Sequence, residues 1–243
     1  MSSMQPADCR DAIHWFVNNV GLYTASARGI FASDFTDDQE PVLEAAIINL
    51  KSRGINPMVI TGEQLYQQAD NLWQHALQAT RFGRPVAGKA ELEMSGADLL
   101  VLKNIEAPEA AHRLWYLFHH VLYPRALANK PLVITTQLGH DEFVLYGAGC
   151  DDFEYAGRKV TWEKVFWLIE AMTIDLHHFQ LMKDEGLVPM LKSEYQLFKG
   201  LKERGLPVTA QHVLGDYLLD IAAFEPQTRK RRDDSGPKLN IEC

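Results

Sequence analysis

Four short apolar runs, each followed by a segment of helical periodicity, constrain the fold of this chain more than any other feature. The runs are Gly29–Ser33, Asn56–Thr61, Ala97–Leu102 and Lys130–Thr136. Runs of this length that are apolar on both faces are typical of buried strands in a parallel sheet. The helical segments begin near Pro41, Gly62 and Pro108. This alternation predicts an α/β fold with a parallel sheet flanked by helices.

Downstream of these runs, the segment 159–182 carries a wide apolar stripe at helical spacing. So broad an apolar surface has to pack on something. We therefore predict one long helix that docks the α/β domain against the C-terminal part or against a partner subunit, which includes a second copy of the chain. The glycines at 147–149 and the polar stretch 184–186 suggest three segments: 1–150, 151–188 and 189–243.

Three acids stand out in the last fifty residues. Glu194 lies beside an apolar helical stripe, and the turn Gly215-Asp216 predicts a hairpin whose second strand contains Asp220 among apolar residues. A further apolar strand, from Lys238, contains Glu242. A carboxylate in a buried strand is costly unless it is paired, protonated or bound to a metal. Two such acids on neighbouring strands repel each other, and a divalent cation relieves that repulsion.

This order of helix Glu, hairpin, strand Asp and strand Glu resembles the PD-(D/E)xK restriction-endonuclease-like nucleases, in the branch similar to very-short-patch-repair endonucleases. The resemblance implies a partial α/β nuclease domain in which Asp220 and Glu242 hold Mg²⁺ and Glu194 assists. It also implies hydrolysis of DNA phosphodiester bonds by a metal-activated water. The other interpretation stays open: Asp220 as an ordinary strand-end acid and Glu194 as a solvated helix acid.

A basic run lies between the strands of Asp220 and Glu242, and it is made of Arg229, Lys230, Arg231 and Arg232. It contacts DNA phosphates in one interpretation. In the other it is a solvated linker neutralised by the two aspartates that follow. The whole chain has a net charge of −8, but residues 190–243 carry nine Lys/Arg against eight Asp/Glu, which is +1. DNA is therefore expected at the C-terminal part.

In the nuclease family the strand continues past the second acid into a further polar residue and more elements. Here the sequence stops at Cys243. A sheet whose strand ends in mid-run leaves backbone groups unpaired. We therefore expect a fragment of a longer protein that is inactive in cleavage by itself.

The N-terminal part resembles the AAA+ ATPase core, in its helicase-loader and transposition-helper group, over roughly 29–139. The segments GIFAS, NPMVITGEQL, ADLLVL and KPLVITTQL stand where that group places successive strands. The departures concern the nucleotide site. A phosphate loop needs glycines, a Lys and a Ser/Thr, whereas the loop here is SDFTDDQEP, with acids Asp34, Asp37, Asp38 and Glu40.

The strand that would end in a metal-binding acid pair instead ends in Lys103 and Asn104. We therefore predict a P-loop/AAA+-like fold without a phosphate loop, in which ATP binding is lost. A plain flavodoxin-like or Rossmann-like sheet remains the alternative for this domain, and an active ATPase is a third possibility that nucleotide titration would test.

Composition excludes several classes. Three scattered cysteines argue against a disulfide framework or a zinc site and fit a reducing cytoplasm. No apolar run reaches the length of a membrane span.

The adjacent pairs His119-His120 and His177-His178 point about 100° apart on a helix, so neither pair chelates one ion. The acidic loop 34–40 lacks the central Gly and closing Glu of a calcium loop.

Taken together, the sequence predicts a cytoplasmic fragment of a Mg²⁺-dependent DNA endonuclease with an ATP-binding-deficient α/β module for targeting or scaffolding. The alternative is a non-enzymatic scaffold or partner-binding protein that retains a decayed nuclease remnant.

Overall fold

The computed structural model describes most of the chain. The described ranges are 6–19, 29–79, 88–106, 108–148, 152–155, 158–187, 189–206, 208–214, 217–224 and 239–240. The chain divides into two compact units, Met1–His177 and His178–Cys243. The boundary falls inside the segment 151–188, and the three-segment division stays a prediction. None of the helices in the described ranges is both long and apolar enough to cross a membrane.

The first unit contains seven strands among its described residues. They are β1 (Gly29–Ala32), β2 (Pro57–Thr61), β3 (Leu99–Lys103), β4 (Leu132–Thr135), β5 (Phe153–Tyr155), β6 (Arg158–Val160) and β7 (Thr173–Asp175). Five of them form one sheet in the order β2-β3-β4-β1-β7, and every pairing in it is parallel. β5 and β6 form a separate antiparallel hairpin. The predicted parallel sheet flanked by helices is thereby confirmed.

The helices of the first unit alternate with these strands. They are α1 (Pro6–Asn19), α2 (Glu40–Ser52), α3 (Gly62–Ala79), α4 (Lys89–Gly96), α5 (Ala111–Tyr116), α6 (Tyr123–Leu127), α7 (His140–Ala148), α8 (Trp162–Met172) and α9 (Leu176–Asp184), the last of which crosses into the second unit. A 3₁₀ turn, Asp37–Gln39, precedes α2, and a π-helical segment, Leu117–Leu122, joins α5 to α6.

The strand order distinguishes the AAA+-like fold from the plain flavodoxin-like or Rossmann-like sheet. If the five parallel strands are numbered along the chain, the order is 2-3-4-1-5. Flavodoxin-like and Rossmann-like sheets keep strand 1 beside strand 2, whereas here β1 lies between β4 and β7. The plain flavodoxin-like or Rossmann-like alternative is therefore wrong.

The sheet is buried because its central strands are apolar on both faces. All four residues of β1 and of β4 are buried, as are the first four of β3. Gly29 is required for the closest approach, because a Cβ on it would lie 1.7 Å from the carbonyl oxygen of Leu132. Burial of such strands supplies the main driving force for folding.

The prediction of one helix over 159–182 is wrong. Lys159 and Val160 belong to β6, and Thr173–Asp175 forms β7, which separates α8 from α9. Thr173 ends α8, since its backbone is extended and its hydroxyl donates to the Ile169 carbonyl at 2.6 Å. Ile174 is buried, as are Ile169 before it and Phe179 after it, so apolar periodicity alone could not reveal the strand.

The second unit contains the end of α9, helix α10 (Lys192–Glu203) and an antiparallel sheet of β8 (Val208–Leu214), β9 (Tyr217–Phe224) and β10 (Leu239–Asn240). β9 lies in the middle, and its register pairs Leu214 with Tyr217 and Ala223 with Asn240. Tyr195 and Phe198 are the buried residues of α10. The hairpin around Gly215-Asp216 is therefore confirmed by the pairing of its two strands.

Candidate functional site

The carboxyl edge of the parallel sheet is the place where ligands bind in open α/β folds. In this protein the residues that follow β1, β3 and β4 meet there. They include the acidic loop after β1, Lys103 and Asn104 at the end of β3, and Thr136 after β4. This edge is also where the nucleotide would bind under the AAA+ resemblance.

The backbone amides of the loop after β1 already have partners inside the protein. Three consecutive N–H groups donate to internal oxygens: Asp34 to the Leu138 carbonyl at 2.9 Å, Phe35 to the Thr136 carbonyl at 2.9 Å, and Thr36 to the Gln39 side chain at 3.0 Å. A phosphate-binding loop points such groups at the ligand. These three amides already donate to oxygens of the protein, so they are not available to bind a phosphate.

The same loop is fixed against the segment that follows β4. Asp34 has a left-handed backbone with φ 52°, a conformation that Asp tolerates better than most residues. Gly139 lies beside its carboxylate, since a Cβ on that glycine would be 3.3 Å from Asp34 Oδ1. The Thr136 N–H donates to the Ala32 carbonyl at 2.9 Å. The loop is thus closed onto its neighbouring strand end.

An ion pair crosses this edge of the sheet. Lys103 Nζ, at the end of β3, bonds Glu40 Oε1 at the first position of α2, and the two side chains are 20% and 26% exposed. Under the AAA+ resemblance the cation belongs on the loop and the acids belong on this strand. The signs are therefore reversed here, and the reversed charges neutralise each other.

The acids of the loop have a structural role at the start of α2. Asp37 and Asp38 form the 3₁₀ turn and Glu40 lies in the first turn of the helix. Negative side chains are stabilised by the positive end of a helix dipole. The acidic composition of the loop is thus explained without a bound cation.

The end of β3 is held as firmly as the loop. Asn104 has φ 51°, and its N–H donates to Thr135 Oγ1 at 3.0 Å. The next amide, on Ile105, donates to the Thr135 carbonyl at 2.8 Å. Gly62 permits this arrangement, because a Cβ there would lie 2.5 Å from the Asn104 carbonyl oxygen.

Sequence reasoning missed a histidine and a carboxylate that meet at the same edge. His140 Nε2 lies 3.8 Å from Asp175 Oδ2, and His140 Nδ1 lies 3.2 Å from Asp141 Oδ1. The rings of Phe31 and Phe166 contact the imidazole edge-on. The sequence alone could not place Asp175 here, because the three residues of its strand fit the helical periodicity on either side.

A second polar cluster lies between α3 and α5. Arg113 binds the Asp70 carboxylate through Nε at 2.9 Å and Nη2 at 2.7 Å, and His112 Nε2 lies 2.7 Å from it. The hydrogen bonds from Arg113, aided by His112, lower the pKa of Asp70 to about 2. The guanidinium also lies over the Tyr66 ring, 5.3 Å from its centroid. This cluster fixes one helix to the other.

The residues predicted for the nuclease site are only partly described. The Glu194 carboxylate accepts the Leu191 N–H at 2.7 Å and so caps the start of α10. Asp220 lies within β9, in the middle strand of its sheet. Glu242 and the basic run Arg229, Lys230, Arg231 and Arg232 lie outside the described residues. Their roles, including the Mg²⁺ site, stay predictions.

Carboxylate oxygens are suitable Mg²⁺ ligands, so the chemistry of Asp220 and Glu242 fits the ion. β10 pairs antiparallel with β9, with Leu239 opposite Phe224 and Asn240 opposite Ala223. Elsewhere in the part of the chain that the structure covers, no group of three or more His, Cys, Asp or Glu could hold a metal ion.

Comparison with known proteins finds distant structural matches and no family. No family model matches the chain, and no curated protein sequence matches it. Among solved structures, DnaI is 14% identical with a TM-score of 0.45, over 68% of this chain and 80% of that one. The DnaC helicase loader has the same identity and TM-score, over 68% of this chain and 85% of the loader. AMPPCP-bound DnaA from Aquifex aeolicus is 13% identical with a TM-score of 0.48, over 82% and 53%.

These similarities are too low to assign an activity. The strand order and the parallel pairings define the class of the first unit, a P-loop/AAA+-like α/β domain without a phosphate loop.

Proposed function

We propose that the first unit is a scaffold or targeting module that binds a partner and not a nucleotide. The ion pair between Glu40 and Lys103 carries this proposal. Glu40 places a carboxylate where the phosphates of a nucleotide would need a cation. β3 ends in Lys103 and so offers no acid there to bind Mg²⁺. The three internally bonded amides after β1 support the same conclusion.

The test is calorimetric titration of the chain with ATP and with ADP, each with Mg²⁺. We expect no saturable heat at nucleotide concentrations of about 1 mM, the concentration that matches about 4 kcal/mol of binding. A dissociation constant clearly below that value would reject the proposal and favour an ATPase.

The double variant E40Q/K103M separates the two obstacles to nucleotide. It removes the ion pair and leaves the amides of Asp34, Phe35 and Thr36 in their internal bonds. We expect it to bind no better than the natural chain, because a phosphate loop needs those amides. Binding gained by this variant would show that the ion pair alone closes the site.

A second function, metal-dependent cleavage of DNA by the C-terminal part, is favoured by one specific observation. The helix of Glu194 precedes a hairpin whose second strand contains Asp220, and the strand that leads to Glu242 pairs with it. This order of elements along the chain is the support for the proposal. Hydrolysis would use Mg²⁺ bound to the two carboxylates, with the ion supplying the activated water.

Nicking of supercoiled plasmid in Mg²⁺ and in Mn²⁺ tests this second function, in parallel with the D220A variant. Cleavage that needs metal and is lost in D220A would support it. Cleavage that persists in D220A would show a contaminating nuclease and would count against the assignment.

A further inference from the structure

Six aromatic side chains form a continuous row on the first unit, drawn from α3, α5, the π-helical segment, α6 and the β5–β6 hairpin. In order, the members of this aromatic row are Trp73, Phe153, Trp115, His119, Phe118 and Tyr123. Successive ring centroids are 5.3, 6.4, 4.8, 4.9 and 5.8 Å apart. Such spacings are those of aromatic contacts, so the six rings form one connected cluster.

The row is anchored on the protein and partly exposed: five of its rings are half-buried, and Trp73 stacks on His112 with ring centroids 5.8 Å apart. Trp115 and Phe118 pack on the hydrophobic core from the side. Each member keeps part of its surface exposed, and Tyr123 at one end is 44% exposed. Packing of this kind fixes the rings before any partner arrives, which lowers the entropic cost of binding. Tryptophan and tyrosine held in this way are typical of the residues that dominate binding energy at interfaces.

The backbone below the row is unusual. Phe118 and His119 belong to the π-helical segment Leu117–Leu122. Such segments are rare and occur frequently at functional sites. The segment is therefore a second observation, independent of the rings, that points to a role for this surface.

The charges around the row decide between two kinds of partner. Aromatic rows bind single-stranded nucleic acid where cations flank them. Here Arg113 is held by Asp70 and Lys159 is held by Asp152, so these two cations are already neutralised. Residues 1–189 carry 15 Lys/Arg against 24 Asp/Glu, a net charge of −9. A polyanion is repelled by such a domain, whereas a cationic segment is attracted.

The chemistry of the rings favours the same partner. The face of an aromatic ring attracts a cation, and the planar guanidinium of arginine stacks on it better than the compact ammonium of lysine. We infer that the aromatic row is the docking surface for an arginine-bearing peptide segment of a partner protein. This inference rests on the proposed partner-binding function and names the surface and the partner chemistry for it.

Calorimetric titration of the full chain with octa-arginine tests the inference, with octa-lysine as the probe of equal charge. We expect octa-arginine to bind more tightly than octa-lysine. Trp73→Ala and Tyr123→Ser are each expected to weaken octa-arginine binding by about 3- to 10-fold, the range that one cation–π contact supports. Tyr123→Ser keeps the test valid if Trp73→Ala fails to fold, because Tyr123 is the most exposed of the six rings.

Trp167→Ala is the matched control, since Trp167 is 65% exposed on α8 and belongs to none of the ring contacts of the row. It is expected to leave octa-arginine affinity unchanged. Equal affinity for both peptides, with no effect of the row variants, would reduce the binding to general charge attraction and overturn the inference. So would the absence of octa-arginine binding.

A 15-mer of thymidine is titrated in the same way. Binding of this oligonucleotide that is lost in Trp73→Ala and Tyr123→Ser would show a nucleic-acid surface, and the inference would be wrong. These outcomes are independent of the nucleotide titration. If the chain binds neither ATP nor octa-arginine, the proposal that it does not bind nucleotide stands, and only the assignment of the aromatic row as a docking surface is rejected.

Discussion

Arg113 joins α5 to α3 by donating hydrogen bonds to both carboxylate oxygens of Asp70, at 2.9 and 2.7 Å. The Asp70 side chain is 27% exposed, so the pair is neither fully solvated nor deeply buried. Two-point binding of a carboxylate by arginine is among the stronger polar contacts in proteins. The pair therefore contributes to the attachment of the aromatic row as well as to stability.

We expect Asp70→Asn to lower the free energy of unfolding at pH 7 by about 1–2 kcal/mol. The pKa of Asp70 is lowered to about 2 by the bonds from Arg113 and His112, so its contribution is full above about pH 4 and is lost as the pH falls toward 2. Urea unfolding at pH 7 and pH 2.5 measures this. Asp141→Asn is the control, because Asp141 is 81% exposed. An Asp70→Asn effect of equal size at both pH values would contradict the assignment.

His120 should make the protein sensitive to mild acid. Burial lowers the pKa of its imidazole, partly offset by Glu91, and Nε2 has no hydrogen-bond partner among the described residues. An unfolded chain binds the proton near pH 6.5, so stability declines as the pH falls below about 6.5 and stops declining at the folded-state pKa. His120→Gln is expected to flatten the stability profile between pH 7 and 5. His75→Gln, at an exposed histidine, is the matched control substitution.

The ion pair at the sheet edge predicts energetic coupling between residues 63 positions apart. Lys103→Met leaves the Glu40 carboxylate, 26% exposed, without its cation. We expect a double-mutant cycle with Glu40→Gln to give a coupling energy of about 1 kcal/mol. The exposed pair Lys89–Glu93, at 3.6 Å, should give no more than about 0.5 kcal/mol. Coupling in the Glu40–Lys103 cycle no larger than in this control would show that the pair does not hold the loop.

Gly29 admits no side chain. A Cβ would lie 1.7 Å from the backbone oxygen of Leu132, so Gly29→Ala has to push β1 away from β4. We expect a loss of about 3 kcal/mol or more in the free energy of unfolding. Gly96→Ala, with no atom within 4 Å of the added carbon, is the matched substitution and should be close to neutral. Thermal unfolding of the two variants side by side is the measurement.

The strands β1 to β4 could be predicted because a strand buried on both faces has to be apolar throughout, and that signal is local. The strand β7 could not. Its three residues fit the helical stripe on either side, and they become a strand only because β1 offers them an edge, with Phe31 opposite Asp175. The missing glycines and lysine in the loop after β1 were visible in the sequence, so the loss of a phosphate loop was predictable.

The contacts that close the site were not predictable in the same way. Nothing local relates Glu40 to Lys103, or His140 to Asp175, because each pair meets only after the strands have taken the order β2-β3-β4-β1-β7. The aromatic row has the same origin. Trp73, Trp115 and Phe118 lie in segments of predicted helix, but their contacts with Phe153 and with one another depend on how α3, α5 and the hairpin pack together.

The position of β1 in the sheet also affects folding during synthesis, because β1 leaves the ribosome before either of the strands that pair with it. Both of its neighbours, β4 and β7, are encoded about 100 residues or more after it. At a synthesis rate of about 5–20 residues per second, the apolar stretch at residues 29–32 waits roughly 5–20 s for its first partner. During that interval it is an exposed apolar segment that is prone to aggregate. We therefore expect this protein to depend on chaperones that bind nascent chains. We also expect refolding from inclusion bodies to be less efficient than for other proteins of this size.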